Sequence, residues 1–151
     1  MLHRFFVMLF VCLGFLHFGV WASDQNSPIG KWRTIDDKTG KQKSIVEIYD
    51  EHGELKGKIL KLIPVGDEDI STKRCSQCPG EYKDQLILGM VFLWGLKQEG
   101  KEYKNGSILD PKNGRIYKAQ IALEDSGRKL RVHGFIGLPL LGRSQIWLRD
   151  D

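Results

Sequence analysis

Arg74 to Gly80 reads RCSQCPG, and Cys75 and Cys78 are the residues of this chain best spaced for chemistry. A C-x-x-C pair can close a small disulfide, supply half of a zinc site, or act as a dithiol redox centre. The redox role needs a helix start beside a βαβ unit, where the thiol pKa falls. Here Pro79-Gly80 follows the pair, and the flanking segments read as strands. Structural zinc needs four ligands, and after residue 22 the chain offers two cysteines and two histidines, His52 and His133. The setting favours a Cys75–Cys78 disulfide, with zinc and redox chemistry as the alternatives. So short a bridge adds little loop entropy and serves mainly to shape its own segment.

Other catalytic arrangements are hard to assemble. His52 sits in DEHGE, a turn, and His133 falls on the polar side of a strand between Arg131 and Phe135. No nucleophile elbow and no H-x-x-x-H is present. Asp67, Glu68 and Asp69 are acidic neighbours without the spaced oxygen ligands of a calcium loop. The expectation is a protein that is not an enzyme, with no cofactor and no metal.

The compartment follows from the first residues, MLHRFFVMLFVCLGFLHFGVWASDQNS. Arg4 precedes an apolar run, Phe5 to Val20, and Val20-Trp21-Ala22 has the small-x-small form of a cleavage site. Residues 1–22 read as a signal peptide, which removes Cys12 and leaves no stable membrane span. The run is short against the roughly 20 apolar residues that cross a bilayer. Residues 23–151 are then one exported domain, periplasmic or secreted, where paired cysteines oxidise. The 23 Lys and Arg of the whole chain are dispersed among 19 Asp and Glu, which argues against a nucleic-acid partner.

The elements that must position these residues are strands. Ile29–Ile35, Ser44–Asp50, Leu55–Ile63, Leu86–Leu96, Tyr103–Leu109, Arg115–Glu124, Lys129–Ile136 and Arg143–Arg149 are rich in β-branched and aromatic residues and are separated by turn chemistry. In Arg115–Glu124, Tyr117, Ala119, Ile121 and Leu123 share one face. DPKNGR before it is a strong hairpin signal. Eight strands joined by hairpins predict an all-β, antiparallel up-and-down barrel; an open sandwich is the alternative. Residues 64–85, which hold the C-x-x-C, are a long polar connection of the kind that often carries function.

Gly30-Lys31-Trp32 opens the first strand shortly after the leader, and in this the chain resembles the lipocalins and avidin-like barrels, the calycins. In lipocalins a late arginine packs over that tryptophan and closes one barrel end. The resemblance implies that role for Trp32 with Arg143 or Arg149. Over most of the chain, GKWRTIDDKTGKQKSIVEIY, the C-x-x-C, LILGMVFLWGL, GSILDPKNGRIYKAQIALED and LRVHGFIGLPLLGRSQIWLR are similar to a family of bacterial exported proteins catalogued as a domain of unknown function. That likeness implies a lipocalin-like barrel and, by analogy, a carrier or sensor of a small apolar molecule.

Two functions from different classes follow. In the first, the barrel holds a small hydrophobic or amphipathic ligand, with Trp32, Met90, Phe92, Trp94, Tyr117 and Trp147 as candidate contacts. In the second, the barrel is filled and Ile136–Leu141 is an exposed apolar contact for a protein partner in the cell envelope. An open cavity separates the first from the second.

Overall fold

The computed structural model describes residues 26–151; the expected signal peptide and Cys12 lie outside the described residues. The strands are β1 Gly30–Ile35, β2 Gln42–Glu51, β3 Glu54–Leu62, β4 Val91–Glu99, β5 Glu102–Asp110, β6 Arg115–Glu124, β7 Lys129–Phe135 and β8 Arg143–Arg149. Each pairs antiparallel with its chain neighbours, and β8 closes on β1 through Trp32 opposite Arg149 and Arg33 opposite Leu148. The result is a closed up-and-down barrel. Closure pairs both sheet edges internally, so none of the eight described strands is left as a template for association.

Alternation sets the inward face. Trp32 and Thr34 of β1, Val46 and Ile48 of β2, Ala119 and Ile121 of β6, Leu130 and Val132 of β7, and Trp147 of β8 are buried. The turn chemistry acts as its residue types require. Asp110 Oδ1 accepts the Lys112 N–H at 2.9 Å, and Asn113 Oδ1 accepts the Arg115 N–H at 2.9 Å. These side-chain bonds pin the β5–β6 hairpin.

β4 departs from simple alternation. Its register against β3 shifts between Lys58 opposite Val91 and Gly57 opposite Leu93, leaving Phe92 as the extra residue of a bulge. Phe92 and Leu93 are consequently both buried, at 6% and 0% exposure. Two large neighbours thus enter one core. Across the barrel wall, a Cβ on Gly106 would stand 2.5 Å from Leu96 Cγ, so glycine at 106 is what admits the Leu96 side chain.

Several strand limits differ from expectation, and two of them matter here. β4 begins at Val91, not Leu86. Residues 86–90 instead fold back: the Ile87 N–H bonds the Lys73 carbonyl at 2.9 Å, and Gly89, with φ 85°, donates to the Ile59 carbonyl at 2.8 Å. β7 ends at Phe135, and Ile136 leaves the apolar face to stand 63% exposed. Among the described residues no helix is long and apolar enough to cross a membrane.

Candidate functional site

One end of the barrel is sealed. Trp32 is fully buried and donates through Nε1 to the Pro28 carbonyl at 2.8 Å. The Arg149 guanidinium lies over its ring, 4.3 Å from the centroid. Arg149 also donates to the carbonyls of Gly127 at 2.6 Å, Ser27 at 2.8 Å and Ile29 at 3.4 Å. A planar, five-donor group can tie the segment before β1 to the β6–β7 turn while covering an indole face. Arg143 takes no part in this plug. It stands at the opposite end, bound to Asp37.

That opposite end opens into a cavity of about 910 Å³. Its walls are apolar within, from Val46, Ile59, Phe92, Ile108, Val132 and Trp147. Phe92 and Trp147 meet at 6.0 Å between ring centroids. Polar groups inside are paired with one another. Thr34 Oγ1 and Ser44 Oγ share a 2.6 Å hydrogen bond. Trp147 Nε1 reaches Gln145 Oε1 at 3.4 Å, and Gln145 Nε2 donates to Asp37 at 3.0 Å. These last bonds run up the β8 wall from the depth of the barrel to the rim. A volume of this size, apolar with few polar groups, suits one small molecule.

The rim is formed by the β1–β2 turn, the β5–β6 turn and the long β3–β4 connection. Cys75 and Cys78 are paired at disulfide distance with Cα atoms 5.3 Å apart, and both are buried. Among the described residues no group of three or more His, Cys, Asp or Glu side chains comes together. The cysteine segment rests on the β5–β6 turn. A Cβ on Gly114 would fall 1.9 Å from the Gln77 carbonyl oxygen, and Gly114 has φ 69°. Glycine is therefore required there twice, for backbone conformation and for room. At the far side of the connection Tyr82 stacks on Trp94 at 5.6 Å, and burial raises the Tyr82 phenol pKa. On the rim, Asp36 is held below the usual carboxylate range, first by the Thr39 N–H, then by the Thr39 hydroxyl and the Lys38 N–H, with Lys43 nearby.

A family model described as DUF2147, uncharacterized protein conserved in bacteria, matches residues 30–149. The chain belongs to this family. Among solved structures, HP1028 from the human pathogen Helicobacter pylori, a protein described as belonging to the lipocalin family, is similar at 21% identity with a TM-score of 0.68. The match covers 82% of each chain. At that identity the likeness shows the fold, and the barrel of this DUF2147 member is lipocalin-like. No curated protein matches the sequence.

The expected contacts divide within this DUF2147 barrel. Phe92, Tyr117 and Trp147 line the cavity. Trp32 does not, because the plug under Arg149 encloses it. Met90 is buried but outside the lining, and its carbonyl accepts from Ile59 N–H at 3.0 Å. Trp94 lies outside the lining, stacked on Tyr82, where a second register shift separates the buried Leu93 and Leu96. His133 is also outside, with Nε2 2.6 Å from the Pro139 carbonyl and Nδ1 2.8 Å from Ser144 Oγ. Ile59, Ile108 and Val132 line the cavity and were not singled out by the sequence; for Val132, strand parity alone could have found it. Lys41, Lys43 and Lys112 at the rim have no signature in sequence spacing, because they come from segments far apart in the chain.

Proposed function

We propose that this protein is a non-catalytic binder that carries or senses a small hydrophobic or amphipathic molecule in its barrel. The observation that carries this reading is the cavity of about 910 Å³, apolar inside, sealed at one end by Trp32 and Arg149 and open at the other. Burial of ligand surface supplies affinity, and the few polar wall groups orient the ligand. The likeness to a protein described as a lipocalin supports the same reading. Export through residues 1–22 to the periplasm or beyond belongs to this proposal, and a cysteine pair at disulfide distance suits that oxidising setting. The test is the intact mass of protein purified from its native host, under native and then denaturing conditions. A small-molecule mass released on unfolding is expected; a bare chain in both spectra speaks for the second reading.

That second reading is an interaction protein of the cell envelope, favoured by one observation. Leu138, Leu140 and Leu141 stand 67%, 92% and 76% exposed beside Ile136. A run of aliphatic side chains in water is a common sign of a contact surface.

A further inference from the structure

We infer that the ligand of this cavity is an amphiphile with an anionic headgroup, its chain in the barrel and its head among the cations of the mouth. This rests on the carrier reading and narrows it to a ligand class. The interior offers a charge no unengaged partner: its walls are mainly aliphatic or aromatic, its Thr34 and Ser44 hydroxyls bond each other, and Gln145 is bonded to Trp147 and Asp37. Burying an ionised group there would be costly, so the charge of any amphiphile stays at the mouth. Arg143 at the rim and Trp147 within lie four residues apart on β8, roughly 13 Å of strand at about 3.3 Å per residue. A chain laid along that wall reaches Trp147 with its head still at the rim.

The mouth favours one sign of charge. Lys41, Lys43 and Lys112 line it, and none forms an ion pair with a carboxylate among the described residues. Its carboxylates are already engaged. Asp36 accepts from the N–H groups of Lys38 and Thr39 and from the Thr39 hydroxyl. Asp110 accepts the Lys112 N–H, and Glu68 lies 4.0 Å from Lys73. The three lysines come from the β1–β2 region and the β5–β6 turn, so they converge only because the barrel closes. An anionic head can therefore exchange water for lysine contacts, whereas a cationic head meets repulsion.

The test is calorimetric titration of the exported domain with dodecanoate, dodecyl phosphate, dodecanol and dodecyltrimethylammonium, each kept below its micellar concentration. Both anions are expected to bind on the order of tenfold more tightly than dodecanol, with a preference that shrinks as salt rises. A difference between the two anions separates a carboxylate from a phosphate head. The triple variant Lys41→Gln, Lys43→Gln, Lys112→Gln is expected to lose the preference and keep the dodecanol affinity. Equal binding of dodecanoate, dodecyl phosphate and dodecanol would overturn this inference and leave the carrier reading standing. Binding of none of the four would overturn both. A triple variant that keeps the full preference would overturn the placement of the head.

Discussion

Arg149 stands with its guanidinium carbon 4.3 Å from the centroid of the Trp32 ring, where the last strand of the barrel pairs with the first. The contact lets one cation close the barrel in two senses, by covering its floor and by bonding the carbonyls of Ser27, Ile29 and Gly127. Lysine has the charge but not the fork, and it cannot reach three carbonyls while lying flat on an indole. Arg149→Lys is expected to cost about 2–4 kcal/mol. In urea the unfolding midpoint should fall with little change in slope. Arg143→Lys, at the exposed rim, should move it by no more than about 0.5 kcal/mol.

If the barrel carries a ligand as proposed, cavity volume rather than the floor governs its binding. Val132 is buried and lines the cavity from β7, so Val132→Trp places a large ring in the space that the ligand needs. Loss of dodecanoate binding by at least about tenfold is expected, with cooperative unfolding retained. Titration of the variant beside wild type checks this.

The seating of the cysteine segment gives a local effect. Gly114→Ala drives a Cβ into the Gln77 carbonyl at a positive φ, and the segment must lift or the turn must change. The expected cost is about 1–3 kcal/mol. Faster amide hydrogen exchange should be concentrated at residues 73–87. Replacing Cys75 and Cys78 together by serine should cost about 2 kcal/mol or less, because the bridged loop is so short. Exchange at the same residues reports it.

Acid should weaken the wall through Glu102. Its carboxyl pKa is lowered first by the Lys104 side chain and then by Arg131, the latter at 3.0 Å. A folded-state value below the unfolded one contributes stability above the unfolded pKa, and the contribution is lost as pH falls through the folded value. Glu102→Gln is therefore expected to be less stable than wild type at neutral pH, and the two should converge in acid. The group is about one-third exposed, so salt will shrink the gap. Unfolding midpoints across pH for both proteins measure it.

Much of this barrel was legible in the residues because hairpin turns and alternation are local signals. Arg115–Glu124 follows its period-two pattern as far as Ile121, beyond which Ala122 is buried as well, and DPKNGR forms a hairpin turn as its residue types demand. The choice between Arg143 and Arg149 was not legible, since it depends on which β8 residue lands opposite Trp32. Phe92 and Trp94 show the deeper limit. Two register shifts against β3 leave Phe92, Leu93 and Leu96 all buried and Trp94 outside the cavity lining, and apolar neighbours in sequence do not announce which one is extra. The β4 start was misplaced for a related reason: LILG is as apolar as a strand, but Gly89 turns it back onto β3. The long connection was recognised as unusual, whereas its seat on Gly114 depends on tertiary approach alone.

The measurement that bears most directly on the account is a map of NMR chemical-shift changes on adding dodecanoate to residues 23–151. Carriage in the barrel predicts changes concentrated at Phe92, Ile108, Tyr117, Val132 and Trp147, fading toward Trp32 and absent at Leu138–Leu141. Changes confined to 136–141, or none at saturating ligand, would contradict it.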